Sequence, residues 1–238
     1  KLIHGSQMLK LGCTRVELGV QTIYGDVLKA VHRGHDLSDT KKSIQQLRDL
    51  GFKLNFHIMP GLPNSDEERD LAMFKELFAN PDYMPDMLKV YPCMVMPGTA
   101  LEHQFKTGKF KPIETPQAAV LIAELQRIVP MWCRIMRVQR DIPTFKTTAG
   151  VDKTNLRQYV DKVSQEKGIV CKCIRCREIG RKVAGAPPKI NIVNYEASGG
   201  KEFFISADAG DALIGFCRLR FPKECLRSEI TKTSAILR

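Results

Sequence analysis

Three cysteines fall within six residues, Cys171, Cys173 and Cys176, in the pattern C-x-C-x-x-C. A tight loop of this kind can aim three thiolates at one ion and fill three corners of a tetrahedron, the donor set of structural zinc. Two other readings stay open: an iron–sulfur cluster with three cysteine ligands and one open iron site, and simple adjacency in the chain. The neighbouring arginines favour a zinc staple in a loop close to RNA. A tetrahedral ion wants a fourth ligand, for which His103 and the remaining cysteines are candidates. Those cysteines, Cys13, Cys93, Cys133, Cys217 and Cys225, are scattered. With no secretory signal they read as reduced, structural side chains.

The second concentration of chemistry is charge. The 238 residues carry 37 Lys and Arg against 26 Asp and Glu, a formal net charge of +11. Between Arg134 and Lys182 lie 13 of those cations and five acids, so a fifth of the chain holds +8 of the total. Such uneven placement points to a polyanionic partner, nucleic acid first. Arg grips phosphate through paired hydrogen bonds and stacks on exposed bases. The residues expected to touch RNA are Arg134, Arg137, Arg140, Lys146, Arg157, Arg175 and Arg177. The competing role for each is an ion pair inside the fold.

The elements that must position these residues alternate through the first part of the chain. Thr14 to Val20 reads as a short buried strand. Ser38 to Leu50 reads as an amphipathic helix capped by Ser38 and closed by Gly51. A second strand over Phe52 to Met59 ends at Pro60-Gly61-Leu62-Pro63, and Asn64 or Ser65 caps the next helix, which runs to about Phe78. Leu88 to Pro92 is a third strand, Thr115 to Ile128 a helix and Trp132 to Val138 a fourth strand. Repeated β–loop–α units imply a parallel sheet with helices outside, an α/β partial barrel whose chemistry sits on the loops after the strand C-termini. The far end differs. Lys189 to Tyr195, Glu202 to Ser206 and Ala212 to Leu219 alternate like antiparallel strands, with Gly199-Gly200 and Gly210-Asp211 as turns.

An apolar share of 43% suits a globular protein. No apolar run approaches the roughly 18 residues of a spanning helix, and KLIHGSQMLK lacks the apolar stretch of a signal peptide. A membrane partner is therefore not expected, and the expected location is cytoplasmic.

Two short stretches, Glu17-Leu18-Gly19-Val20-Gln21-Thr22 and Asn55 through Pro63, resemble the GVQS and GLP signatures of radical S-adenosylmethionine enzymes. The remainder narrows the resemblance: His32-Arg33-Gly34-His35, Lys89-Val90-Tyr91-Pro92, Arg134 to Pro143, Asn155-Leu156-Arg157 and Cys176-Arg177-Glu178. Together these resemble the elongator catalytic subunit family in its archaeal or bacterial form, across essentially the whole chain. RIMRVQRDIP is its most specific stretch.

That resemblance implies a radical S-adenosylmethionine barrel over residues 1–145, a basic zinc-binding linker over 146–188, and the antiparallel start of an acetyltransferase-like α+β domain over 189–238. It implies transfer of an acetyl-CoA-derived carboxymethyl group to C5 of the tRNA wobble uridine, with S-adenosylmethionine and a 4Fe-4S cluster as cofactors. Uracil C5 is a poor acid, so a carbon radical is the sensible route. The implied partners are a tRNA anticodon stem-loop, acetyl-CoA, and either other elongator subunits or a second copy of the chain.

Gln21 matches a position that contacts the ribose of S-adenosylmethionine; its alternative is a structural hydrogen bond inside the barrel. Gly61 shapes the loop beside the cofactor, and Arg33 faces the same strand ends, ready for a carboxylate or phosphate. At His57 some related enzymes carry Asp, so a barrel histidine satisfied by its neighbours is expected. The family's cluster cysteines lie upstream of the GVQ strand and its acetyl-CoA segment after the last strands. The chain by itself is therefore expected to be inactive. The alternative is a nonenzymatic tRNA-binding scaffold on a degenerate radical barrel. An enzyme acting on a porphyrin precursor is a third reading, disfavoured by the basic segment.

Overall fold

The computed structural model describes residues 2–139, 142–181 and 185–238. Four strands, β1 (Arg15–Gln21), β2 (Lys53–Ile58), β3 (Met87–Val90) and β4 (Arg134–Val138), form a parallel sheet in the order β1-β2-β3-β4. Helices α1 (Leu2–Lys10), α2 (Gly25–Ala30), α3 (Leu37–Asp49), α4 (Glu67–Ala79), α5 (Ala100–Lys106) and α6 (Thr115–Ile128) precede and connect them. Strand periodicity decides the two faces. Leu54, Phe56 and Ile58 of β2 and Leu88 and Val90 of β3 are fully buried against Ile44, Met73, Phe74, Leu77, Leu121 and Leu125. The alternate positions, Glu17, Asn55, His57 and Lys89, line the opposite, concave face.

Several expectations need correction. β1 is not buried throughout: it is an edge strand, half-exposed until Val20 and Gln21. Asp36, not Ser38, caps α3. Its carboxylate accepts from Asp39 N, while the Asp39 side chain accepts from Asp36 N, a reciprocal pair that one serine cannot make. The Ser38 hydroxyl donates to Asp36 instead. Asp66 caps α4. Asn64, in left-handed backbone at φ 65°, and Ser65, which donates to Asp70, belong to the preceding turn. Trp132 lies outside β4 and stacks on Tyr195 with ring centroids 4.3 Å apart.

After β4 the chain forms α7 (Leu156–Glu166), which packs on α6, and a single turn α8 (Ile174–Arg177) beside β4. The second sheet, β5 (Lys189–Ala197), β6 (Gly200–Ala209), β7 (Ala212–Phe221) and β8 (Ile236–Leu237), is antiparallel in that order. It docks on the first through fully buried charge. Arg220 pairs with Asp49 at 2.5 Å and Glu202 at 3.0 Å, while Arg238 reaches Asp86 at 2.9 Å and Glu202 at 2.7 Å. Arg218 lies 3.2 Å from Asp86, and Arg48 lies 3.4 Å from Glu202. Burial alone would raise the Asp86 carboxyl, but Arg238, Arg218 and Arg48 outweigh it and hold the group well below its usual range. Among the described residues no helix is long and apolar enough to cross a membrane.

Candidate functional sites at the strand ends and the cysteine loop

The C-terminal ends of the parallel strands are tied side by side by backbone bonds. Met59 N donates to Gln21 O at 2.9 Å, Tyr91 N to Ile58 O at 2.9 Å, Cys93 N to Pro60 O at 2.8 Å, and Gln139 N to Val90 O at 3.1 Å. Gln21 leaves β1 at φ 65° and is 8% exposed. Such left-handed backbone in a non-glycine residue is costly and clusters where the fold holds a group for use. A Cβ built on Gly19 would meet Arg33 Nη2 at 3.0 Å and Gln21 Nε2 at 3.1 Å. The amide and the guanidinium therefore converge over one residue that must lack a side chain. Arg33 also donates to Gly19 O at 3.0 Å, which fixes its loop against β1.

Gly61 stands apart from this pair. Its φ is 77°, and a Cβ there would sit 2.9 Å from Ile113 Cγ2, so the turn admits only glycine without movement. Gly61 N donates to Asp70 Oδ2 at 2.7 Å, and the Ser65 hydroxyl donates to Asp70 Oδ1 at 2.8 Å. Burial pushes the Asp70 carboxyl up to about 6 despite those two donors. His57 meets the Tyr91 ring edge-on, with centroids 4.6 Å apart. Gln21 and Arg33, set apart in sequence, thus meet over Gly19 at the end of β1, while Gly61 lies in the turn that follows β2 and lines a separate cavity with Asp70 and Ile113.

The cysteine loop lies on the other side of β4. The sulfurs of Cys171, Cys173 and Cys176 all lie within 4.8 Å of one another. Hydrogen bonds from Cys171 first and Cys176 second stabilise the Cys173 thiolate and lower its pKa. Three converging soft donors, one already inclined to ionise, fit zinc. Among the described residues no further His, Cys, Asp or Glu joins them; His103, offered above as a fourth ligand, is exposed on α5. Arg157 Nη2 donates to Cys176 Sγ at 3.5 Å.

The arginines around the loop divide in two. Arg177 is committed to Asp208 at 2.7 Å, Lys172 O and Met131 O, and Arg134 pairs with Glu178 at 2.7 Å. Arg175 donates to Met136 O, and Arg157 pairs with Asp161 at 3.7 Å. Arg137 and Lys146 are exposed. Arg140 lies outside the described residues. One group missed by residue-by-residue reading is a polar trio across three strands. Lys89 Nζ lies 2.5 Å from Glu17 Oε2, and Asn55 Nδ2 donates to Glu17 Oε1 at 3.1 Å.

Residues 6–75 match the family model described as Radical SAM superfamily, and residues 85–166 match that of the Radical_SAM C-terminal domain. The chain is 48% identical to the tRNA uridine(34) acetyltransferase of Methanocaldococcus infernus, over 98% of this chain and 45% of that protein. It is 42% identical to Elongator complex protein 3 of Saccharomyces cerevisiae, over 91% of this chain and 40% of the relative. The solved archaeal Methanocaldococcus infernus Elp3 with an N-terminal deletion superposes with a TM-score of 0.92 at 48% identity, covering 96% of this chain and 56% of that one. The chain spans about half the length of the curated relatives it matches.

Proposed function

Because the chain belongs to the radical S-adenosylmethionine family of tRNA uridine(34) acetyltransferases and Elongator complex protein 3, we propose that it is the barrel and cysteine-loop portion of a tRNA wobble-uridine-modifying enzyme. The full-length protein attaches an acetyl-CoA-derived carboxymethyl group at uracil C5. The observation that carries this reading is the convergence of Gln21 Nε2 and Arg33 Nη2 over Gly19 at the strand C-termini. Gln21 holds the ribose hydroxyls of S-adenosylmethionine, Arg33 its carboxylate, and the Gly61 turn lets the backbone approach it. A reduced 4Fe-4S cluster supplies one-electron cleavage of that cofactor when bound. Among the described residues no second cysteine triad converges to hold such a cluster. Cys171, Cys173 and Cys176 hold zinc in a structural role. The antiparallel sheet begins the acetyl-CoA-binding portion, and Arg137, Arg140 and Lys146 meet the anticodon stem-loop.

The test is made on the full-length protein. Bound iron and zinc, S-adenosylmethionine affinity and carboxymethylated uridine are measured for the wild type and Gln21→Ala. We expect the variant to bind S-adenosylmethionine about tenfold more weakly, the loss of one or two hydrogen bonds. A wild-type protein with zinc but no iron and no product would leave a tRNA-binding scaffold as the better reading.

A further inference from the structure

The concave face of the parallel sheet carries a second polar group, one or two lumen positions below the rim. Strand register places Glu17 beside Asn55 and His57 beside Lys89. The side chains of Glu17 and Lys89 remain 42% and 20% exposed, whereas Asn55 is 1% exposed. A partly exposed ion pair adds little to stability, too little to explain a charged pair on the concave face of the sheet. Its hydrogen-bonding capacity is more telling. Lys89 Nζ has three N–H donors and Glu17 takes one; the Glu17 carboxylate keeps lone pairs beyond those used by Lys89 and Asn55. The Lys89 ammonium holds the Glu17 carboxyl below its ordinary range, so it stays an acceptor. Asn55, buried beneath, orients it.

We propose that Glu17 and Lys89 form a base-reading pair for the Watson–Crick edge of uracil. The structure offers a donor next to an acceptor; uracil offers O4, an acceptor, next to N3–H, a donor. Cytosine in the same register sets its amino donor against Lys89 and its bare N3 against Glu17, so both contacts repel. It can satisfy both only by turning over, with N3 toward Lys89 and the amino group toward Glu17, which moves C5 from the Lys89 side to the Glu17 side. The pair therefore selects uracil over cytosine. Single-stranded bases splayed from RNA are read in this way. The inference rests on the tRNA-uridine reading above and assigns the residues that recognise the base.

The test uses the full-length protein as purified and three anticodon stem-loops, with uridine, N3-methyluridine or cytidine at the wobble position. Dissociation constants are read by fluorescence anisotropy, which needs no turnover. The wild type is expected to prefer the uridine loop by about tenfold or more, because a hydrogen bond to a charged group is lost in the other two. Glu17→Gln and Lys89→Met should each shrink that gap below about threefold. Their affinity for the N3-methyluridine loop should stay within about twofold of wild type, since phosphate contacts set it. The double variant removes both charges together, and its melting temperature checks the fold. If the single variants fail to fold, the wild-type comparison of the three loops decides alone.

Equal wild-type affinity for uridine and N3-methyluridine loops, or variants that keep the full gap, overturns the base-reading pair and leaves the tRNA reading intact. A wild type that binds none of the three loops removes both.

Discussion

The floor and the rim of the parallel sheet use polar groups in opposite ways. At the floor, four arginines and three acids, Arg48, Arg218, Arg220, Arg238, Asp49, Asp86 and Glu202, are buried and commit nearly every donor to one another or to backbone carbonyls. At the rim, Gln21 and Arg33 hold their polar ends beside each other with capacity to spare. Charge fully spent inside the protein positions elements, and polar groups with open hydrogen bonds are the kind the proposed S-adenosylmethionine contacts need. Arg177, part-buried and locked on Asp208, and Arg137, exposed on β4, differ in how far solvent reaches them.

The contrast can be broken most forcefully at the floor. Asp86→Ala strands Arg218 and Arg238 without their carboxylate and should cost about 3–5 kcal/mol in urea unfolding. The pH dependence has a definite sign. The folded carboxyl is depressed below its ordinary value of 3.8, so its stabilisation is complete above that pH and is lost as pH falls below it. Acid unfolding of Asp86→Asn should therefore show a flatter limb below about pH 4 than the wild type.

The cysteine loop should give the next largest effect. Cys173→Ser, or a strong chelator, is expected to remove one zinc per chain and lower the melting temperature by about 5 °C or more. Unchanged metal content would separate the thiol cluster from any ion. A smaller effect is expected at the turn after β2, where Gly61→Ala costs about 1–2 kcal/mol for the left-handed turn and shifts Ile113. Isothermal titration should show S-adenosylmethionine affinity of the full-length protein falling alongside it.

Smallest in energy, but sharpest for the comparison, is the pair Arg137→Ala and Arg177→Met. The first should reduce the slope of log affinity for tRNA against log salt by about one, with stability unchanged. The second should lower stability while the slope stays put. Equal slopes in both variants would erase the division between part-buried and exposed arginines.

Periodicity made most of this architecture readable. Alternation in Phe52 to Met59 needed no tertiary knowledge, and C-x-C-x-x-C announced its own convergence. Capping was less legible, because Asp36, Ser38 and Asp39 are all good cap residues and only reciprocal geometry chooses among them. The Glu17–Lys89 contact joins residues 72 apart, and Arg220–Asp49 joins residues 171 apart. No local pattern encodes such pairs; they follow from strand register and from which face of the second sheet docks. Arg177 was misleading for the same reason. In sequence it is one more cation of a basic run, and in space it belongs to the antiparallel sheet.

The chain's single tryptophan stands at the seam between the two sheets. Trp132 lies nearly parallel to the Tyr195 ring, at 17°, and its carbonyl accepts from Arg218 of β7. The protein thus carries its own optical gauge of sheet docking. Parting the sheets would unstack the indole and wet it, so its emission would shift to longer wavelength before the helices lost their dichroism. One intrinsic fluorophore would then time the separation of the two halves without any label.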